Sequence, residues 1–268
     1  MTLVRKYYDD TDILKEEYFE TDGKKQGEYK SYDENGLLNE TYNYVDGKKN
    51  GEYKSYHENG SLHKVYNYVD DEINGEYRSY YENNGSIHVV CNYINSEKNG
   101  KYERYSDSGS LFEVCYYIDH KINGESMRYY DDGSLFEVCY YIHDKTNGEY
   151  KRYYNNGQLM ELSNYNDDKL NGKCETYYEN GSPHVVCNYV GGKKSGEYKR
   201  YNENGFLNET RNFIDGKLNG EFRNYYENGT IFNVCEYVDN KRSGEYKEYD
   251  EAGNLLKTKM FVDDVETK

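Results

Sequence analysis

An all-β fold, an elongated solenoid-like array of β-hairpin repeats forming a single twisted antiparallel sheet, is predicted for this 268-residue chain by three observations. First, a Gly-Glu-Tyr-(Lys/Arg)-x-Tyr start recurs every 24 residues at Gly27, Gly51, Gly75, Gly148, Gly196 and Gly244, with looser copies at Gly100, Gly124, Gly172 and Gly220. Self-similarity at a fixed period is the mark of a stacked array of small supersecondary units. Second, each repeat carries two turn signals, and the runs between them are short and rich in Tyr, Val, Ile and Phe, which suit pleated strands. Third, helix is disfavoured throughout: glycine recurs too often, alanine occurs once (Ala252), and the runs are filled by aromatic and β-branched residues.

In order along the chain, residues 1–26 read as a degenerate N-terminal capping repeat. There Tyr7-Tyr8-Asp9-Asp10-Thr11-Asp12-Ile13-Leu14 aligns with Tyr129-Tyr130-Asp131-Asp132-Gly133-Ser134-Leu135-Phe136, and Thr11 replaces the glycine. Residues 27–243 hold nine hairpin repeats of 24 or 25 residues, and 244–268 a C-terminal capping repeat. In each repeat the first strand runs from the opening glycine to a sixth slot that is always tyrosine: Tyr32, Tyr56, Tyr80, Tyr105, Tyr129, Tyr153, Tyr177, Tyr201, Tyr225 and Tyr249. Asn-Gly pairs such as Asn35-Gly36, Asn59-Gly60, Asn180-Gly181 and Asn228-Gly229 follow, and predict a two-residue type I′ turn, which needs positive φ at both residues. In the second strand the best-kept apolar positions, such as Leu135, Val138 and Tyr141, are three apart where a flat strand wants two. A bulge, strong twist or apolar content on both faces each accounts for that spacing. The polar stretch Asp46-Gly47-Lys48-Lys49-Asn50-Gly51 and its equivalents read as an open loop to the next hairpin.

The formal net charge is −16 and the aromatic fraction 17%, far more aromatic than a disordered acidic chain. A surface this negative disfavours nucleic acid and anionic lipid, both of which recruit Lys and Arg. Met1–Tyr7 lacks the apolar run of a signal peptide, and a cytoplasmic location is expected. Five of the six cysteines share one slot, Cys91, Cys115, Cys139, Cys187 and Cys235. Equivalent residues lie two strands apart, about 9.6 Å in a flat sheet, so free thiols are expected, filling a small half-buried slot.

No catalytic, cofactor or metal constellation emerges. His63, His88 and His184 share a slot with Phe112, Phe136, Met160 and Phe232, and the period spreads them where a metal needs convergence. The repeated Glu28, Glu52, Glu76, Glu149, Glu197 and Glu245 sit in equivalent environments, unlike an acid and base pair, and read as a solvated strand edge facing Lys of the same repeat. The sixth-slot tyrosines read as structural, packing side by side at equivalent strand positions. The variable seventh slot offers the candidate partner-binding residues Tyr81, Tyr130, Tyr154, Tyr178 and Tyr226.

The pattern Gly-Glu-Tyr-Lys-x-Tyr-Tyr-Glu-Asn-Gly-x-Leu followed by Tyr-Val-Asp-Gly-Lys-x-Asn-Gly resembles the MORN-repeat family, most closely the variant repeats of bacterial putative antitoxins and giant-virus proteins. The resemblance implies stacked strand hairpins used for protein interaction, scaffolding or lipid contact, and brings no catalytic residues. Acidity sets this chain apart from lipid-binding members. The expected function is a non-enzymatic scaffold for a basic protein partner. The alternatives are an antitoxin-like inhibitor of one basic toxin or nuclease and, behind it, a membrane-associated scaffold. Identical stretches at residues 110–118 and 134–142 point to recent duplication, which suits an array of adjustable length.

Overall fold

A computed structural model describes residues 1–267. Every regular element among them is a β-strand, and every strand pairing is antiparallel. The chain divides into two compact units, Met1–Gly133 and Ser134–Lys268. In the first, the strands Thr2–Tyr7, Leu14–Thr21, Lys24–Tyr32, Leu38–Val45, Lys48–Tyr56, Leu62–Val69, Glu72–Tyr80, Ile87–Ile94, Glu97–Tyr105 and Leu111–Ile118 pair each with the next as a meander. The second repeats the scheme from Leu135–Ile142 to Val265–Thr267. There each opening strand is split before its glycine, as in Lys145–Thr146 and Gly148–Tyr153. At that break Asn147 N–H donates to Tyr140 O (2.8 Å) and Gly148 takes φ +79°.

The two turns exchange the roles read from the sequence. In Asp33-Glu34-Asn35-Gly36 only the glycine has positive φ (+82°), Gly36 N–H donates to Asp33 O (3.0 Å), and Asp33 N–H donates to Leu37 O (2.8 Å). This is a type I turn closed by a left-handed glycine, not the expected type I′ turn. The expected open loop is itself the type I′ turn: Val45 pairs with Lys48 across Asp46 (φ 51°) and Gly47 (φ 86°). Non-glycine pairs occupy the same conformation at Asp70-Asp71, Asp167-Asp168 and Asp263-Asp264.

Stacking of turn on turn stabilises these left-handed aspartates. Asp71 N–H donates to Lys49 O (3.0 Å) while Asp71 Oδ1 accepts from Lys49 N–H (2.8 Å). Asp168 with Thr146 and Asp264 with Arg242 repeat the exchange. Each reciprocal pair ties a turn to the strand one repeat earlier.

The three-residue apolar spacing has two causes. Tyr153 pairs with Leu159 and Arg152 with Glu161, so Met160 is an extra, bulged residue. A bulge at this slot, found also just before Glu40 and Glu209, puts the residues of the Leu159 and Leu162 type on one face. The following step, Val138 to Tyr141, crosses to the other face, because one intervening residue separates same-face positions.

The core is therefore a single layer of side chains on one face of the sheet, built from the third and sixteenth slots, which oppose each other. Early in the first unit this row is tyrosine: Tyr29 pairs with Tyr42 and Tyr53 with Tyr66. Their rings stack at centroid distances of 4.6 and 4.4 Å, and Tyr18, Tyr29, Tyr42 and Tyr66 are buried. Lysine ammonium groups cover the row, Lys25 at 4.3 Å from the Tyr18 centroid and Lys49 at 4.4 Å from that of Tyr42. A parallel row carries ions: Glu113 accepts from Arg104 and Arg128 Nε (3.2 and 3.1 Å), and buried Glu209 from Arg200 and Arg211 Nη2 (3.3 and 2.8 Å). Paired charges of this kind add little net stability over apolar residues, but losing one partner strands the other. The sixth-slot tyrosines, expected to pack side by side, are half-buried; Tyr32 lies across from Leu38, Tyr80 from Ile87 and Tyr177 from Pro183.

Candidate functional site at the hairpin-turn rim

The type I turns bring slots six to nine of each repeat to one rim, beside the same slots of the next repeat. The seventh-slot tyrosines lie half-buried there. Four of them spend their hydroxyls on the neighbouring repeat: Tyr81, Tyr154, Tyr178 and Tyr226 donate to the backbone carbonyls of Tyr105, Tyr177, Tyr201 and Tyr249 at 2.9, 2.8, 3.0 and 2.9 Å. Tyr8 does the same to Tyr32 O (2.8 Å), and His57 Nε2 stands 3.1 Å from Tyr80 O. Tyr130, the fifth candidate, is half-buried at the equivalent position. These residues staple repeat to repeat, leaving ring surface rather than hydroxyl for recognition.

The ninth-slot asparagines make a second staple. Asn59, Asn156, Asn180 and Asn228 donate from Nδ2 to Glu82, Glu179, Glu203 and Glu251 O (3.0, 3.1, 3.0 and 2.9 Å). Their Oδ1 atoms accept from the backbone two residues on, as from Ser182 N–H at 2.9 Å. This Asx arrangement explains asparagine before glycine without positive φ.

The bulged thirteenth slot packs beneath the seventh. Ring centroids of His57 and His63, Tyr81 and His88, and Tyr178 and His184 lie 4.2, 4.5 and 4.5 Å apart. Burial holds His63 and His88 below the ordinary imidazole range, with Lys64 and Arg104 adding to the effect. His63, His88 and His184 are thus occupied within their own hairpins. No group of three His, Cys, Asp or Glu is placed to hold a metal among the described residues.

Between the staples, the eighth slot projects outward. Glu34, Glu58, Glu82, Asp107 and Asp131 in the first unit, and Glu179, Glu203, Glu227 and Glu251 in the second, are all exposed. None lies within ion-pair distance of a Lys or Arg among the described residues. The second-slot glutamates differ: Glu28 meets Lys30 Nζ at 2.8 Å and Glu197 meets Lys199 Nζ at 2.8 Å, as expected of a solvated edge. Between successive turns the rim opens into grooves. One of about 500 Å3 is lined by Tyr81, Glu82, Tyr105, Asp107, Phe112 and Asp131. Another of about 440 Å3 is lined by Tyr8, Tyr32, Glu34, Tyr56, His57 and Glu58. The sixth-slot tyrosines are walls of these grooves. The eighth-slot carboxylates were missed in the sequence because they read as part of the turn; their signal was an acidic residue at that slot in nine of ten repeats.

A family model described as the MORN repeat variant matches residues 25–46, 49–70, 146–167, 170–190, 218–239 and 242–263. No curated protein matches the chain. Solved structures that are similar include TcdB2-TccC3-Cdc42, with 11% identity, 96% of this chain, 19% of that chain and a TM-score of 0.19. The Photorhabdus luminescens Tc holotoxin pore gives 11% identity, 96% of this chain, 17% of that chain and a TM-score of 0.20. The chain spans under a fifth of the length of either.

Proposed function

Since the chain belongs to the family of the MORN repeat variant, with six matched repeats, we propose that it is a non-enzymatic scaffold that docks a basic protein along its hairpin-turn rim. The observation that carries this reading is the set of exposed, unpaired carboxylates at nine of the ten turns, set between half-buried tyrosine rings. A guanidinium or ammonium group entering such a groove meets a carboxylate and the face of a ring at once. The charge speeds encounter, and the ring contacts hold the complex. No helix among the described residues is long and apolar enough to cross a membrane, and the formal charge of −16 opposes anionic lipid.

The test is association of the purified chain with an arginine-rich peptide, an acidic control peptide and anionic vesicles, each at low and high salt. The reading expects binding of the basic peptide alone, through several equivalent sites, with an association rate that falls as salt rises. One peptide per chain would favour a dedicated inhibitor of a single basic protein, the antitoxin-like alternative. Tight vesicle binding without peptide binding would replace both with the membrane scaffold.

A further inference from the structure

The sixth cysteine changes the meaning of the cysteine row. Cys174 occupies a third slot and is the cross-strand partner of Cys187, in the pair Gly172–Tyr177 and Pro183–Val190. Directly opposed residues of antiparallel strands have Cα atoms about 4.5–5.5 Å apart, inside the ~4.4–6.8 Å range of disulfides. Cys91, Cys115 and Cys235 are instead opposed by Tyr77, Tyr102 and Phe222.

We propose that Cys174 and Cys187 are a redox-active dithiol that closes to a cross-strand disulfide and reopens by thiol exchange. Three further observations support it. Both thiols line a groove of about 440 Å3, together with Tyr154, His184, Lys194 and Tyr198, through which a small disulfide reaches them. Both are free and otherwise buried, at 8% and 5% exposure, so the product is shielded once formed. The Cys187 thiol is held below the ordinary thiol range by the hydrogen bond from Cys174, with Lys194 adding to the effect. Cys91 and Cys115, by contrast, are pushed by burial to about 11 and stay protonated at neutral pH.

The chemistry balances with a disulfide oxidant such as oxidised glutathione. The Cys187 thiolate attacks one glutathione sulfur, forming a mixed disulfide and expelling a glutathione thiolate. Cys174 then attacks the Cys187 sulfur, forming the cross-strand bond and expelling the second thiolate. The two protons released by the protein are taken up by the two glutathiones, and two electrons pass to the oxidant.

The experiment equilibrates the full chain in glutathione buffers of varied ratio, quenches with acid, counts free thiols with a maleimide and maps linkages by peptide mass. Two thiols should vanish together, leaving four of the six, with Cys174 linked to Cys187 and an oxidised fraction that follows the square of reduced glutathione. Cys174→Ser should stop at a mixed disulfide on Cys187, with linear dependence. The wild-type measurement stands without that variant if the variant fails to fold. Six thiols persisting in oxidised buffer, a linkage to any other cysteine, or linear dependence in the wild type would overturn the proposal.

Discussion

Tyr29 and Tyr42 face each other across adjacent strands with ring centroids 4.6 Å apart and planes inclined by 27°, and the same two slots oppose each other as Tyr53 and Tyr66 or Tyr77 and Cys91 in the first unit and as Tyr150 and Ser163 or Tyr198 and Arg211 in the second. In a single-layer sheet such contacts stand in for a conventional core, so stability is distributed along the row and each ring supports its neighbours.

Removing a ring from that row should therefore cost more than removing one from the rim. Tyr42→Ala should destabilise the first unit by about 3 kcal/mol, and Tyr32→Ala by about half as much, because Tyr32 is half-exposed over a groove. Urea unfolding followed by tyrosine fluorescence measures both. Equal losses would refute the assignment of the third and sixteenth slots as the core.

The same row should make the protein sensitive to alkali. Burial, the largest cause, and neighbouring carboxylates raise the Tyr29 phenol above its ordinary value, as burial and Tyr44 raise Tyr42; Tyr53 and Tyr102 reach about 12. A folded-state pKa raised above the unfolded one gives stability that is complete below about pH 10. That stability is lost as pH rises through about 12. Phenolate absorbance and loss of circular dichroism should rise together in this window, and ionisation of all tyrosines near pH 10 without unfolding would contradict it.

The exchanged turn types are testable at Asn180. A type I′ turn accepts glycine at its first position, whereas here Asn180 bonds Glu203 O and Ser182 N–H. Both Asn180→Gly and Asn180→Ala should cost about 1–2 kcal/mol in thermal or urea unfolding. A neutral Asn180→Gly would restore the type I′ reading.

Charge and staple should separate at the rim. The triple variant Glu179→Gln, Glu203→Gln, Glu227→Gln should keep its melting temperature but slow association with the arginine-rich peptide by about tenfold at low salt. Tyr178→Phe, which loses the bond to Tyr201 O, should lower stability by about 1 kcal/mol and leave binding intact. The reverse pattern, measured by stopped-flow and melting, would assign recognition to the hydroxyl.

The period, the strand content and the two turns per repeat were legible in the sequence because they depend on local residue preference repeated ten times. The bulge was legible as a spacing conflict, though not as a position. What only the tertiary structure decided are the relationships between repeats. Asp71 adopts positive φ because Lys49, one repeat earlier, supplies both a donor and an acceptor to its turn. Pairing of Tyr29 with Tyr42 puts the buried row on one face, while Tyr32, an odd number of residues along the same strand, faces the other side and walls a groove. Strand register alone sets Cys174 against Cys187. Propensity acts within a few residues, whereas these outcomes rest on hydrogen bonds and packing between residues a whole repeat or a hairpin apart, where neither partner's neighbours along the chain carry the information.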